Sequence, residues 1–122
     1  MAAIAAGATL GAWLRWGLAL WLPTRAGIPL GTLAANLIGG YAVGVAIGVL
    51  STQPQVPAEW RAFVVVGLLG GLTTFSTCSA EAVQLLLRQH YGSAFALVLL
   101  HVAGSFALTA LGLVTARAVL AP

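Results

Sequence analysis

Ten residues, Gly70-Gly-Leu-Thr-Thr-Phe-Ser-Thr-Cys-Ser79, put two glycines and five hydroxyls into a stretch that is otherwise apolar enough to cross a membrane. Each glycine costs about 1 kcal/mol of helix propensity relative to alanine, and hydroxyl groups compete with the helix for backbone hydrogen bonds. A helix is expected to break here. Peptide groups freed in hydrocarbon survive only where protein, water or an ion satisfies them. Freed carbonyls suit a cation, and helix N-termini suit an anion. The chemistry expected of this run is therefore ion binding by neutral dipoles; the competing reading is a kinked helix that serves packing alone.

Other polar residues fall inside apolar stretches. Arg15 either reaches back to the interface or holds an anion, since a charge at mid-membrane costs about 2.5 to 3.5 kcal/mol on insertion scales. Thr32 and Asn36 are four apart and share a helix face; the Asn amide offers two donors and an acceptor, as glue between helices or as a donor to a passing anion. His101, Ser105 and Thr109 repeat every four residues and trace one polar stripe. Glu81, Gln84 and Arg88 share another face, as an ion-paired helix end or a vestibule lining. No set of nucleophile, base and acid is visible, and no Cys/His cluster has zinc spacing, so an enzyme is not expected. The single cysteine, Cys78, has no partner for an internal disulfide.

These residues must be held by membrane helices. Of 122 residues 61% are hydrophobic and 6% charged, the charges being five Arg and two Glu, and no water-soluble domain of this size could display so much apolar surface without associating. Helical spans need roughly 20 apolar residues each. Four are predicted: Ala2 to Leu22, Leu30 to Leu50, Ala62 to Leu87 and Ala94 to Ala116. Residues 1–122 then form one transmembrane channel domain, a multi-pass protein of the plasma membrane or bacterial inner membrane. The N-terminal stretch lacks a basic leader and reads as a first span, not a removable signal. The +3 formal charge comes from scattered arginines, which excludes nucleic acid as a partner.

Basic residues normally mark the cytoplasmic side. Here one face holds Arg61 and Arg117 and the other Arg25 and Arg88, with Arg15 nearer the second. So even a tally fixes no orientation, and two opposite copies could pair as an antiparallel dimer. Rows of small residues, Gly7 and Gly11 in the first span and Gly40, Gly44 and Gly48 in the second, predict close helix packing.

The run at 70 to 77 followed by Ser79-Ala-Glu81 resembles the third-helix signature of the CrcB/Fluc fluoride channel family. Gly11-Ala-Trp-Leu-Arg-Trp16 is similar to that family's first-helix arginine motif. Gly31-Thr-Leu-Ala-Ala-Asn36 with Gly39-Gly40-Tyr41 resembles its second-helix asparagine motif, and Ala103-Gly-Ser105 with Thr109 its fourth-helix polar positions. The resemblance covers nearly the whole chain. It implies an all-α integral membrane fold of four helices, the third broken, assembled as a dual-topology antiparallel homodimer in the lipid bilayer. It implies passive fluoride exit along Asn36, Phe75, Cys78, Ser105 and Thr109, with Arg15 and Glu81 at the vestibules. It also implies a central structural Na+ on the backbone carbonyls of Gly70 and Thr73. One position departs from the pattern: Cys78 stands where the family usually has a second phenylalanine, and a thiol is a weak donor without a ring edge.

Two other readings stay open. A proton-coupled small multidrug transporter is also a four-span dual-topology dimer, but it needs a titratable acid in the membrane, and Glu81 is the one candidate. A noncatalytic membrane scaffold would use the polar stripes as glue only.

Overall fold

The computed structural model describes residues 1–121 and is almost entirely helical. Four segments are long and apolar enough to span a membrane: Ala2–Trp21, Leu30–Thr52, Ala58–Leu87 and Tyr91–Leu120. The first, second and last are single helices, α1, α2 and α6. They match the expected spans, with α2 extended by two residues and α6 by several at each end.

The third segment is composite. It opens with the short helix α3 (Ala58–Arg61), four residues ahead of the predicted third span, and continues into a π-helical stretch, Ala62–Leu69. The three-residue α4 (Gly70–Leu72) follows. Thr73 and Thr74 then take extended dihedrals, with ψ of 152° and 121°, before α5 (Phe75–Leu87) begins. Thr74 caps α5 through its own side chain, which accepts from the Thr77 N–H at 3.2 Å.

The connections are tight. Between α1 and α2 the chain makes a two-residue pair of strands, β1 (Thr24–Arg25) antiparallel to β2 (Ile28–Pro29). Ala26 and Gly27 at its tip have φ of 52° and 81°, the left-handed pair that a two-residue hairpin needs. After α5, Gln89 adopts φ 61°. Its N–H reaches the Leu86 carbonyl and that of His90 the Leu85 carbonyl, a C-terminal motif that reverses the chain into α6.

Packing pairs α2 with α6 and α1 with the π-helical stretch and α4. The glycine rows make these contacts possible. A Cβ built on Gly44 would strike the Thr109 carbonyl and come within 2.8 Å of the Leu113 nitrogen, and one on Gly11 would lie 2.7 Å from the Leu72 nitrogen. The predicted packing faces of both helices are therefore backbone-on-backbone seams. A small apolar core ties hairpin, α2, α5 and α6 together through Ile28, Leu33, Cys78, Ala82, Leu85, Ala94 and the fully buried Leu97. Trp13, Trp16, Trp21, Phe95 and Phe106 point outward, as expected of a surface whose solvent is lipid.

Candidate functional site

Asn36 and, through it, His101 converge on Thr74, the second of the two extended threonines. In a continuous helix the Thr74 N–H would close on the Gly70 carbonyl; here it donates to Asn36 Oδ1 at 2.7 Å. The Thr74 carbonyl in turn accepts from Asn36 Nδ2 at 2.9 Å. One side chain from α2 thus satisfies both backbone groups of a residue in the third segment, as burial away from water demands.

Asn36 Nδ2 also lies 2.9 Å from His101 Nδ1. An amide nitrogen only donates, so this network assigns His101 Nδ1 as acceptor and puts the proton of the neutral ring on Nε2. That Nε2 is buried without a hydrogen-bond partner among the described residues, and His101 as a whole is 4% exposed. Both hydrogens of Asn36 Nδ2 are committed to protein. The free donor in this cluster belongs to His101, which the sequence reading placed on the polar stripe but left out of the ion path. The four-residue register with Ser105 was the signal that pointed to it.

A cavity of about 610 Å³ opens beside this cluster. Asn36, Thr73, Phe75, Cys78, His101 and Ser105 line it. Phe75 is 83% exposed and Cys78 is 7% exposed, so the ring stands free in the single chain while the thiol belongs partly to the core. Thr109 lies outside the lining; its hydroxyl donates to the Gly40 carbonyl at 3.0 Å, and Gly40 itself borders the cavity.

The remaining expected residues sit around the cluster. Glu81 does not form an ion-paired helix end with Arg88: its Oε1 accepts from the Thr32 hydroxyl at 2.6 Å, and its Oε2 is buried without a partner among the described residues. Thr32 and Asn36, one turn apart on α2, therefore both bind the third segment. Arg15 is half-buried, and its Nε donates to the Gly71 carbonyl at 3.2 Å.

Gly70 and Thr73 can be tested against the sodium ion that the resemblance implies. The donors that would close on their carbonyls in a continuous helix, the N–H groups of Thr74 and Thr77, bond Asn36 and the Thr74 hydroxyl instead. Gly70 is exposed, and a Cβ added there would meet nothing nearer than the Val65 carbonyl at 3.7 Å. Neutral carbonyl oxygens released at an open face are donors of the kind a hard cation takes, so these residues fit such an ion.

The family model described as CrcB-like protein, Camphor Resistance (CrcB), matches residues 2–113. The chain belongs to the CrcB family. Its similarity to curated members runs end to end: it is 58% identical over 120 residues to a protein of Burkholderia lata, covering 98% of this chain and 94% of that one. It is 55% identical over 121 residues to a Burkholderia vietnamiensis protein, at 98% and 94% coverage. A Cupriavidus taiwanensis protein is 53% identical over 116 residues, at 94% and 92%. Each of the three is named a fluoride-specific ion channel FluC. Membership in CrcB and four apolar segments make the chain a multi-pass membrane protein.

Proposed function

We propose that this chain is a fluoride-selective channel through which fluoride leaves the cytoplasm passively across the plasma or inner membrane. The observation that carries this reading is the clamp of Asn36 on Thr74 beside a buried, unpaired His101 Nε2, in a chain whose relatives are named fluoride channels. Fluoride is small and strongly hydrated, and a filter must replace its water with good donors without holding it too tightly for release. His101 Nε2–H and the Ser105 hydroxyl offer such donors, and the positive edge of the Phe75 ring can face an anion. Asn36 borders the path and holds its wall in place, Thr109 continues the stripe, and Cys78 gives a weak S–H donor where a ring would add an edge. Arg15 and Glu81 are assigned to the approaches.

In this reading the working unit is an antiparallel, dual-topology homodimer in the lipid bilayer, and the stretch from Gly70 to Ser79 is broken at membrane depth. The near-even distribution of arginines supports opposite insertion. The exposed Gly70 and Phe75 support a second copy lying against this face. The carbonyls of Gly70 and Thr73, one pair from each copy, would hold the structural sodium ion, whose charge would offset the carbonyl dipoles gathered there.

The test is fluoride-electrode efflux from liposomes holding the purified protein, with chloride as the control ion. Fluoride efflux that is insensitive to an imposed proton gradient, with chloride retained, is the expected result. Efflux that follows the proton gradient would favour the transporter reading through Glu81, and no efflux of either ion would favour a scaffold.

A further inference from the structure

Gly7, Gly11 and Arg15 stand four residues apart and so lie on one face of α1. The two glycines are buried, and both press that face onto the third segment. Gly71 meets it from the other side, where a Cβ would lie 2.6 Å from the Ala8 carbonyl. Arg15 thus begins its course inside a backbone seam, one turn beyond the closest approach. From there its Nε reaches the Gly71 carbonyl, a long-range contact spanning 56 residues of sequence. That carbonyl needs a donor. Of the three residues between Gly71 and Phe75, Thr73 and Thr74 are extended, so the Phe75 N–H cannot close on it as it would in a continuous helix.

We infer that Arg15 is a positioning residue: its Nε–H closes the Gly71 carbonyl and fixes the end of α4, and this bond matters more than its charge. The role complements that of Asn36. One clamp comes from α1 and holds the last helical turn before the extended pair; the other comes from α2 and holds the pair itself. Between them they set the direction in which the neighbouring Gly70 carbonyl points. The inference concerns the architecture of the gap and deepens the channel reading, on which its relevance to ion passage rests.

Side-chain length allows donor and charge to be separated. The Nε2 of glutamine stands at the same number of bonds from the backbone as the Nε of arginine, so Arg15→Gln keeps the donor and removes the charge. Arg15→Lys keeps the charge and moves the donor one atom outward. Arg15→Met removes both. The experiment is amide hydrogen exchange at Thr73 to Thr77 in the full-length reconstituted protein, alongside fluoride efflux. Exchange within about threefold of the parent in Arg15→Gln, and about tenfold faster in Arg15→Lys and Arg15→Met, is expected for a lost hydrogen bond to a backbone carbonyl. Rescue by lysine but not glutamine overturns the inference, as does a glutamine variant that exchanges as fast as the methionine one, or three variants that all match the parent. Should Arg15→Met fail to fold, the comparison of glutamine with lysine still decides. Exchange is read without fluoride, so a parent protein that passes no fluoride would sink the channel reading and leave the result on Arg15 standing.

Discussion

Asn36 holds Thr74 by both of its peptide groups, accepting from the N–H at 2.7 Å and donating to the C=O at 2.9 Å. A side-chain amide here does the work of a neighbouring strand, and it leaves its second hydrogen for His101.

Replacing Asn36 with Asp removes both N–H donations and sets a carboxylate against the Thr74 carbonyl and His101 Nδ1. Each buried partner left unpaired costs about 1 to 3 kcal/mol. Fluoride efflux from liposomes is expected to fall to the level of empty vesicles, while Asn36→Ala retains more of the assembled protein than Asn36→Asp. Unchanged efflux in the Asp variant would remove Asn36 from the pathway.

The Thr32 hydroxyl is the hydrogen-bond partner of a carboxylate whose second oxygen has none. Thr32→Val is expected to destabilise the protein by about 1 to 3 kcal/mol. Glu81→Gln in the same background recovers part of that loss, because the charge is gone. A double-mutant cycle on thermal unfolding in detergent reads this coupling; additive effects would mean that the two residues do not communicate.

The seams between helices leave no room for a methyl group. Gly44→Ala and Gly112→Ala, whose new Cβ atoms would meet the Thr109 and Tyr41 carbonyls, are expected to abolish a monodisperse peak in size-exclusion chromatography. Gly17→Ala and Gly92→Ala meet nothing within 4 Å and are expected to be neutral or to stabilise by up to about 1 kcal/mol.

Cys78 borders both the core and the cavity. In Cys78→Phe the ring has the cavity to turn into, so the fold is expected to survive at an overpacking cost of about 1 to 3 kcal/mol, with fluoride flux preserved or raised. A steep drop in efflux with the protein still folded would show that this position does not face the ion.

If carbonyls of Gly70 and Thr73 hold sodium between two copies, replacing Na+ with N-methylglucamine during purification is expected to lower the unfolding temperature and shift the assembly toward monomers. Restoring Na+ reverses both. Identical melting in the two salts would argue against a structural ion.

Much of this was legible from residue types. Four spans follow from hydropathy, and the run crowded with glycine and hydroxyl groups at 70 to 79 contains Thr73 and Thr74, whose dihedrals are extended. Glycines spaced four apart marked the seams. What could not be read was which partner each polar side chain chooses, because a lone Thr, Asn or Arg in an apolar run has several geometrically equivalent ways to be satisfied. Thr32 took Glu81, not a helix carbonyl, and Arg15 took Gly71, not the interface. The π-helical stretch Ala62–Leu69 was invisible for a different reason: a wider turn changes the register by one residue, and a uniformly apolar run carries no periodicity to betray it. The short hairpin escaped for want of length, since two-residue strands leave no alternation to detect.

The two clamps have a birth order. Chains emerge from the N-terminus, so Arg15 and Asn36 are made before Gly71 and Thr74, and the peptide groups freed there meet side chains that already exist. His101 arrives last, to a partner whose orientation has been decided. Written in the reverse sequence, the same residues would have to carry a bare stretch of main chain through oil before anything came to dress it.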